Sequence, residues 1–173
     1  TFHWTLWHWN PQFLLHAVRI RLLLNTLGGH VIGLPGTGRR MIDEQGPYVV
    51  RTYSIAHRTF LYFEWGWTKT THSTRNSGCA LAVRYPMFNM SDVKKVYCPP
   101  QELHIQGRVG GVWFFRAHQY SLVFLVVYLS STDSIGNDTV FPYVHELLDE
   151  LNGHAITTIF IDAHTELGIP RGA

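Results

Sequence analysis

The stretch Thr157-Thr158-Ile159-Phe160-Ile161-Asp162-Ala163-His164 decides the fold of this chain, because a β-prone run meets an acidic residue and then a turn. We predict a last strand over residues 156–161 with Asp162 at its mouth. A carboxylate at the end of a buried strand is costly to desolvate unless it binds something. Three uses stay open for Asp162, namely holding a metal, orienting a proton donor or capping the backbone of the turn.

Outside this stretch, short β-prone runs alternate with only two helical patterns. Helices are predicted over residues 13–27, with Leu14, Val18 and Leu22 at helical spacing and Leu15 and Ile20 beside them, and over residues 138–151. The segment 89–106 is predicted to be irregular. This order favours two packed sheets with helices outside them over a regular βαβ alternation. The other predicted strands are residues 2–9, 30–34, 48–55, 59–64, 78–84, 107–116 and 122–129.

Composition narrows the class of protein. The chain has 173 residues, of which 46% are hydrophobic and 15% charged, with a net charge of +2, so it can build one core but has no broad basic surface for nucleic acid. The longest apolar run, 122–129, is far too short to span a bilayer. Cys79 and Cys98 form neither a disulfide framework nor a CxxC pair, which favours reduced thiols and a nuclear or cytoplasmic, intracellular location.

Three predicted strand ends carry polar groups of a matching kind, in Trp9-Asn10, Val127-Tyr128 and Ile161-Asp162. An amide, a phenol and a carboxylate on one rim of a sandwich would suit a phosphate ester bound to a divalent cation. Each residue also has a simpler interpretation. Asn10 can cap the helix that follows it, and Tyr128 can be a core residue with its hydroxyl at the edge.

Taken in order, these motifs resemble the endonuclease/exonuclease/phosphatase superfamily. That family opens with Thr-Trp-Asn, here His8-Trp9-Asn10, and continues with Leu-Gln-Glu-Thr, here Leu34-Pro35-Gly36-Thr37. Its later Val-Tyr-Ala-Pro corresponds to Val127-Tyr128-Leu129-Ser130. Its Gly-Asp-Phe-Asn before a Leu-Gly corresponds to Ile161-Asp162-Ala163-His164 with Leu167-Gly168. The branch that the chain resembles most is the retrotransposon-type, reverse-transcriptase-associated endonucleases, which often write the last motif as Asp-Ala-Asn.

The resemblance implies a fold and an activity. The fold is a four-layer αββα arrangement, a two-sheet sandwich flanked by helices, with residues 1–173 forming a single incomplete domain that lacks its C-terminal part. The activity is Mg²⁺- or Mn²⁺-dependent hydrolysis of DNA phosphodiesters, without a membrane partner and with a reverse transcriptase fused in the parent protein. Asn10, Tyr128, Asp162 and His164 are the catalytic candidates by resemblance, and Asn10 and Asp162 are the candidate metal ligands.

The departures from the family pattern bear on activity. Gly36 stands where the family has its main metal carboxylate, and glycine has no ligand atom. His164 replaces an asparagine that contacts phosphate, although an imidazole can still donate a hydrogen bond. The family's closing Asp-His pair does not occur within residues 1–173. Because a metal ligand and a general base are both lost, we predict little or no phosphodiesterase turnover by this chain.

Alternatives remain open at this point. One is a decayed relative that keeps the sandwich and binds nucleic acid weakly or not at all. Another is an unrelated metal-binding domain that uses some of the eleven histidines. Two smaller signals also have two interpretations each. Trp65-Gly66-Trp67 either stacks on a base or forms a packed aromatic corner, and Arg39-Arg40 either touches a phosphate backbone or lies in a solvated loop.

Overall fold

The computed structural model describes residues 4–10, 17–39, 46–67 and 77–163 of the chain. Strands dominate, because most apolar runs are short and rich in β-branched and aromatic residues. The two helices are α1 (Ala17–Leu27) and α2 (Ser134–Leu151). The strands are β1 (Leu6–His8), β2 (Val31–Pro35), β3 (Tyr48–Ile55), β4 (Arg58–Trp65), β5 (Cys79–Tyr85), β6 (Val93–Tyr97), β7 (Val109–Arg116), β8 (Tyr120–Leu129) and β9 (Ile156–Ala163).

These strands form two mixed sheets. The first sheet has the order β1-β2-β5-β4-β3, and the second has the order β6-β7-β8-β9. β1 pairs parallel with β2, and β8 pairs parallel with β9, whereas all other pairs are antiparallel. The two parallel pairs therefore bring the carboxyl ends of four strands to one end of the molecule.

Three buried hydrophobic clusters separate four layers of structure, which are α1, the first sheet, the second sheet and α2. Aromatic side chains such as Phe63, Phe114, Phe124 and Phe160 fill the space between the sheets. Gly33 in β2 lets the sheets approach, since an added Cβ would lie 2.1 Å from the Phe160 ring. α1 packs its buried face on the outer side of the first sheet, and α2 packs on the outer side of the second. The predicted αββα sandwich of two sheets flanked by helices is confirmed.

The apolar face predicted for α1 is only partly the face that the helix buries, because Ile20 is buried but Val18 and Leu22 are not. Val18 is 76% exposed and Leu22 is 66% exposed, whereas Ile20 and Leu24 are buried against the first sheet. The residues Ile20, Leu23, Leu24 and Leu27 form a second apolar stripe at helical spacing, which is the stripe that the sheet covers. Leu14, the remaining member of the predicted face, lies outside the described residues.

The segment 89–106 is not wholly irregular, because it contains β6 at the edge of the second sheet. The sequence pattern did not predict this strand because it contains Lys94 and Lys95, and lysine is uncommon in strands. Lys94 Nζ lies 3.9 Å from the centroid of the Trp113 ring, and Lys95 Nζ lies 2.7 Å from a Glu150 carboxylate oxygen in α2. Charged residues of this kind protect an edge strand against pairing with other chains.

The structure also bears on two smaller predictions, which concern Trp65 and membrane spanning. Trp65 is fully buried and stacks on Phe63, so it belongs to a packed aromatic corner and is closed to a nucleobase. Neither described helix combines the length and the apolar character that a bilayer crossing requires.

Candidate active site

Four of the five singled-out positions lie at the same end of the sandwich. Asn10 follows β1 by two residues, and Gly36 comes directly after β2, so the parallel pairing of these strands places both at one edge. Tyr128 and Asp162 are register partners in the parallel pair β8–β9. His164 lies outside the described residues, and its role stays a prediction.

Direct contacts join these four positions into what we term the strand-end cleft, formed by Asn10, Gly36, Tyr128 and Asp162. The Asn10 side-chain amide donates a hydrogen bond to Oδ2 of Asp162. A Cβ added at Gly36 would lie 2.9 Å from Oδ1 of Asn10 and 3.3 Å from Cε2 of Tyr128. Residues separated by more than 150 positions in the chain thus line one cleft, and the roles predicted for them remain predictions.

Gly36 is held in a conformation that suits glycine. Its φ angle is +84°, a left-handed value that side chains disfavour. The amides of Gly36 and Thr37 both donate to the carbonyl oxygen of Gly78, at 2.8 and 2.9 Å. This turn pins the end of β2 to the start of β5, and the neighbouring side chains fill the room beside position 36.

The phenol of Tyr128 is half-buried, and this environment controls its ionisation. Burial raises the pKa of Tyr128, the nearby Asp162 carboxylate raises it further, and the Arg108 guanidinium lowers it. Because the net shift is upward from an ordinary value near about 10, the phenol stays protonated at neutral pH. It is therefore available in the strand-end cleft as a hydrogen-bond donor.

Arg108 lies fully buried beneath the strand-end cleft and was not predicted from the sequence. Its backbone oxygen accepts a 2.8 Å hydrogen bond from the Tyr128 amide, and its Nε donates to the Tyr128 carbonyl at 3.4 Å. Its guanidinium also donates to Asp133 at 2.9 Å and to Asn137 in α2. Arg108 thereby ties the end of β8 to the start of α2.

Two features of the sequence could have predicted the buried contacts of Arg108. Arg108 immediately precedes the apolar run of β7, where a charged side chain needs a partner if it is to be buried. Asn137 shares the helix face of Val140 and Leu147, so it is a polar residue within a buried apolar stripe. Burial lowers the pKa of Arg108 while Asp133 raises it, and an arginine stays charged at neutral pH.

Neither cysteine supplies a nucleophile here. Cys79 is fully buried at the start of β5, and burial raises the pKa of its thiol far above the ordinary value. Burial likewise raises the pKa of Cys98 to about 11. Both thiols therefore stay protonated at neutral pH, and the thiolate is the reactive form.

A buried carboxylate, Glu64, lies on the outer side of the first sheet. Its Oε2 is 3.2 Å from Nη1 of Arg51 and 3.8 Å from Nε of Arg39, while its own side chain has no exposed surface. Burial raises the pKa of Glu64, and the two arginines lower it. Arg39 thus lies in the loop after β2, about a quarter exposed (27%), and its side chain faces Glu64. Arg40 lies outside the described residues.

The side chains of the strand-end cleft do not fit a resident divalent metal. Mg²⁺ prefers six oxygen ligands and is usually bound through carboxylates. Asp162 is the carboxylate of the cleft, and one of its oxygens already accepts the Asn10 amide. Within residues 4–10, 17–39, 46–67 and 77–163, no three His, Cys, Asp or Glu side chains come together as ligands, which also leaves the histidine-rich metal domain without support there.

Comparisons with known proteins bear on this architecture. No family model matches the chain, and no curated protein matches it. Among solved structures, the AP endonuclease from Leishmania major is similar to 84% of this chain with 14% sequence identity and a TM-score of 0.44. The chain spans 44% of the length of that protein.

Proposed function

We propose that this chain is a DNA phosphodiesterase domain of the endonuclease/exonuclease/phosphatase type whose hydrolytic power is strongly impaired. One observation carries the proposal. Asn10, Tyr128 and Asp162 are drawn from three distant motifs, and they meet around Gly36 in one cleft. An amide, a protonated phenol and a carboxylate in one place suit the recognition of a phosphate ester.

Each group has a chemical task in this proposal. The Tyr128 phenol donates a hydrogen bond to a phosphate oxygen, and the Asn10 amide and the His164 imidazole offer further donors. The Asp162 carboxylate accepts a proton from, or orients, the attacking water. In the family the missing carboxylate at position 36 would hold Mg²⁺ or Mn²⁺, which stabilises charge on the phosphate when bound.

The finer assignment follows the motif order. We place the chain with the retrotransposon-type endonucleases, which implies a reverse transcriptase in the parent protein and a nuclear or cytoplasmic location. Residues 1–173 then form one domain of this type.

A second candidate function is a non-catalytic relative that binds DNA weakly or has no ligand. Two observations favour it. Gly36 has no ligand atom, and the Asn10 amide occupies an oxygen of Asp162. The two candidates differ in a measurable way, because the impaired enzyme retains slow hydrolysis and the non-catalytic relative has none.

Nicking of supercoiled plasmid DNA in Mg²⁺ or Mn²⁺ tests the proposal. Loss of the metal carboxylate at position 36 should slow hydrolysis by about a hundredfold or more relative to an intact nuclease of this type. We expect slow nicking that Asp162→Ala removes. Fast nicking abolished by Asp162→Ala would contradict the impairment, and complete absence of nicking would favour the non-catalytic relative.

Binding of a fluorescent DNA duplex, measured by anisotropy, tests recognition separately from hydrolysis. Tyr128→Phe removes only the phenol hydroxyl and is expected to weaken binding several-fold, by about 1 kcal/mol. Tyr85→Phe is the matched control, since Tyr85 is an exposed tyrosine at the opposite end of β5. Equal affinities of the two variants would argue against phosphate recognition at the strand-end cleft.

A further inference from the structure

The contact between Asn10 and Asp162 resembles, in its electrostatics, the contact between a cation and a carboxylate. The amide N–H of Asn10 carries partial positive charge and points at Oδ2 of Asp162. A hydrogen bond from a neutral amide to a carboxylate is stabilising and needs no metal ion. The amide therefore occupies one lone pair of Oδ2 and places partial positive charge where a cation on that lone pair would lie.

Gly36 makes this arrangement possible. An added Cβ would lie 2.9 Å from Asn10 Oδ1, so a side chain at position 36 would require the end of the Asn10 side chain to shift. The φ angle of +84° disfavours a side chain there for a second, independent reason. The absence of a carboxylate at 36 and the amide contact on Asp162 are thus two parts of one packed arrangement.

Two other carboxylates of the described chain are paired with arginines. Asp133 is bound by Arg108, and Glu64 is bound by Arg51 and Arg39. A cation arriving at Asp162 would meet a carboxylate that already accepts an amide donor, and it would either displace that amide or bind beside its partial positive charge. Such a site binds a cation more weakly than a site built from two carboxylates.

We infer that the Asn10 amide takes the place of a divalent cation on Asp162, so that the resting protein holds no cation in the strand-end cleft, and that a carboxylate at position 10 creates a cation site. Asparagine and aspartate have nearly the same shape. Asn10→Asp therefore replaces the donor with a second carboxylate next to Asp162, and two adjacent carboxylates are relieved by a shared cation or proton. The inference rests on the proposed function, since it concerns the same cleft.

Titration calorimetry with Mn²⁺ at about pH 7 tests this, with thermal unfolding in the same buffers as a second readout. The unaltered protein is expected to show no saturable binding below about 1 mM. Asn10→Asp is expected to bind one Mn²⁺ per chain at least about tenfold more tightly and to gain thermal stability from the ion. Asn10→Asp combined with Asp162→Asn should lose both effects.

The matched control for added negative charge is Asn25→Asp, because Asn25 is exposed on α1. It should bind no more Mn²⁺ than the unaltered protein. Tight, stoichiometric binding by the unaltered protein that Asp162→Asn removes would overturn the inference. A folded Asn10→Asp variant that gains no binding would overturn it as well. If Asn10→Asp does not fold, the Mn²⁺ titrations of the unaltered protein and of Asp162→Asn still decide whether the unaltered protein binds a cation at Asp162.

The inference and the proposed function fail in different ways. Mn²⁺ binding by the unaltered protein, without fast nicking, would refute the inference and leave the impaired phosphodiesterase intact. A protein that neither binds nor nicks DNA would refute the function, while the Mn²⁺ titrations would still decide the inference about Asn10.

Discussion

Replacing Gly36 with alanine tests whether the strand-end cleft is packed as tightly as its geometry indicates. Two costs add. A φ angle of +84° costs an alanine about 1 kcal/mol. The added Cβ would lie 2.9 Å from Asn10 Oδ1, so the end of the Asn10 side chain must shift, and the complete loss of its hydrogen bond to a charged group would cost a further 2 kcal/mol or so. We expect Gly36→Ala to lower the free energy of unfolding by up to about 3 kcal/mol.

The control for the backbone cost is Gly153→Ala. Gly153 has a φ angle of +78°, nearly that of Gly36, and nothing lies within 4 Å of the Cβ that would be added there. Only the backbone cost of about 1 kcal/mol is expected at Gly153. Urea unfolding followed by circular dichroism measures both variants under the same conditions.

A double-mutant cycle separates the steric cost from the backbone cost. In an Asn10→Ala background the amide is absent, so Gly36→Ala should cost only about 1 kcal/mol. The coupling between the two positions is then up to about 2 kcal/mol. If Gly36→Ala costs no more than Gly153→Ala, or costs the same with and without Asn10, the packing of the cleft has been misjudged.

Three further predictions concern charged groups. The hydrogen bond from Arg116 holds the pKa of Asp92 below its ordinary value, so this carboxyl contributes stability above about pH 4 that is lost as the pH falls through the folded-state pKa. Urea unfolding at acid pH should show this loss in the native protein but not in Asp92→Asn, and equal acid sensitivity would contradict it. Burial raises the pKa of Glu64, so its effect on stability has the opposite pH dependence. The contribution of Glu64 to stability is complete below about pH 4.3 and is lost as the pH rises through the folded-state pKa. Glu64→Gln should lack that loss in the same measurement, and a pH dependence parallel to that of the native protein would count against it. Arg108→Met leaves Asp133 without its cation and should cost about 3–5 kcal/mol, against about 1 kcal/mol or less for Lys95→Met, whose pair with Glu150 is half-exposed on both sides, and equal costs would show that the buried Arg108 pair contributes no more than a surface pair.

The strands were predictable because each is a short, nearly continuous run of β-prone residues. The bounds of β3, residues 48–55, agree with the structure, and those of β4 differ by one residue at each end. α2 begins at Ser134 rather than at residue 138, because the Asp133 side chain accepts a hydrogen bond from the Gly136 amide and so caps the helix earlier. That capping signal was present in the sequence and was not used.

The errors arose where local pattern is ambiguous. In α1 two apolar stripes compete, and only contact with the first sheet selects Ile20 and Leu24 over Val18 and Leu22. A sequence pattern cannot report which side of a helix that is apolar nearly all round faces the sheet. β6 was missed for a different reason, since its lysines protect an edge strand and carry little strand signal.

The strand-end cleft shows a different limit. Its members followed from motif order, but their contacts did not, because the Asn10–Asp162 hydrogen bond joins residues 152 positions apart. Arg108 was missed because its role depends on Asp133 and Asn137, which become its neighbours only when α2 packs on the second sheet. Chemistry that resides in a contact between distant elements is not a property of either segment.

The strand pairing also explains how the strand-end cleft keeps its shape without a bound cation. The neighbouring positions of Tyr128 and Asp162 are set by the β8–β9 register, and that register is held by Phe160 and Val126 in the core between the sheets. No cation is needed to hold these strands together. The Asn10 amide gives the Asp162 carboxylate a hydrogen-bond donor without adding a charge to the cleft. Truncation of Phe160 should therefore unfold the domain, whereas Tyr128→Phe, which keeps the ring that packs against the core, should mainly alter what the cleft binds.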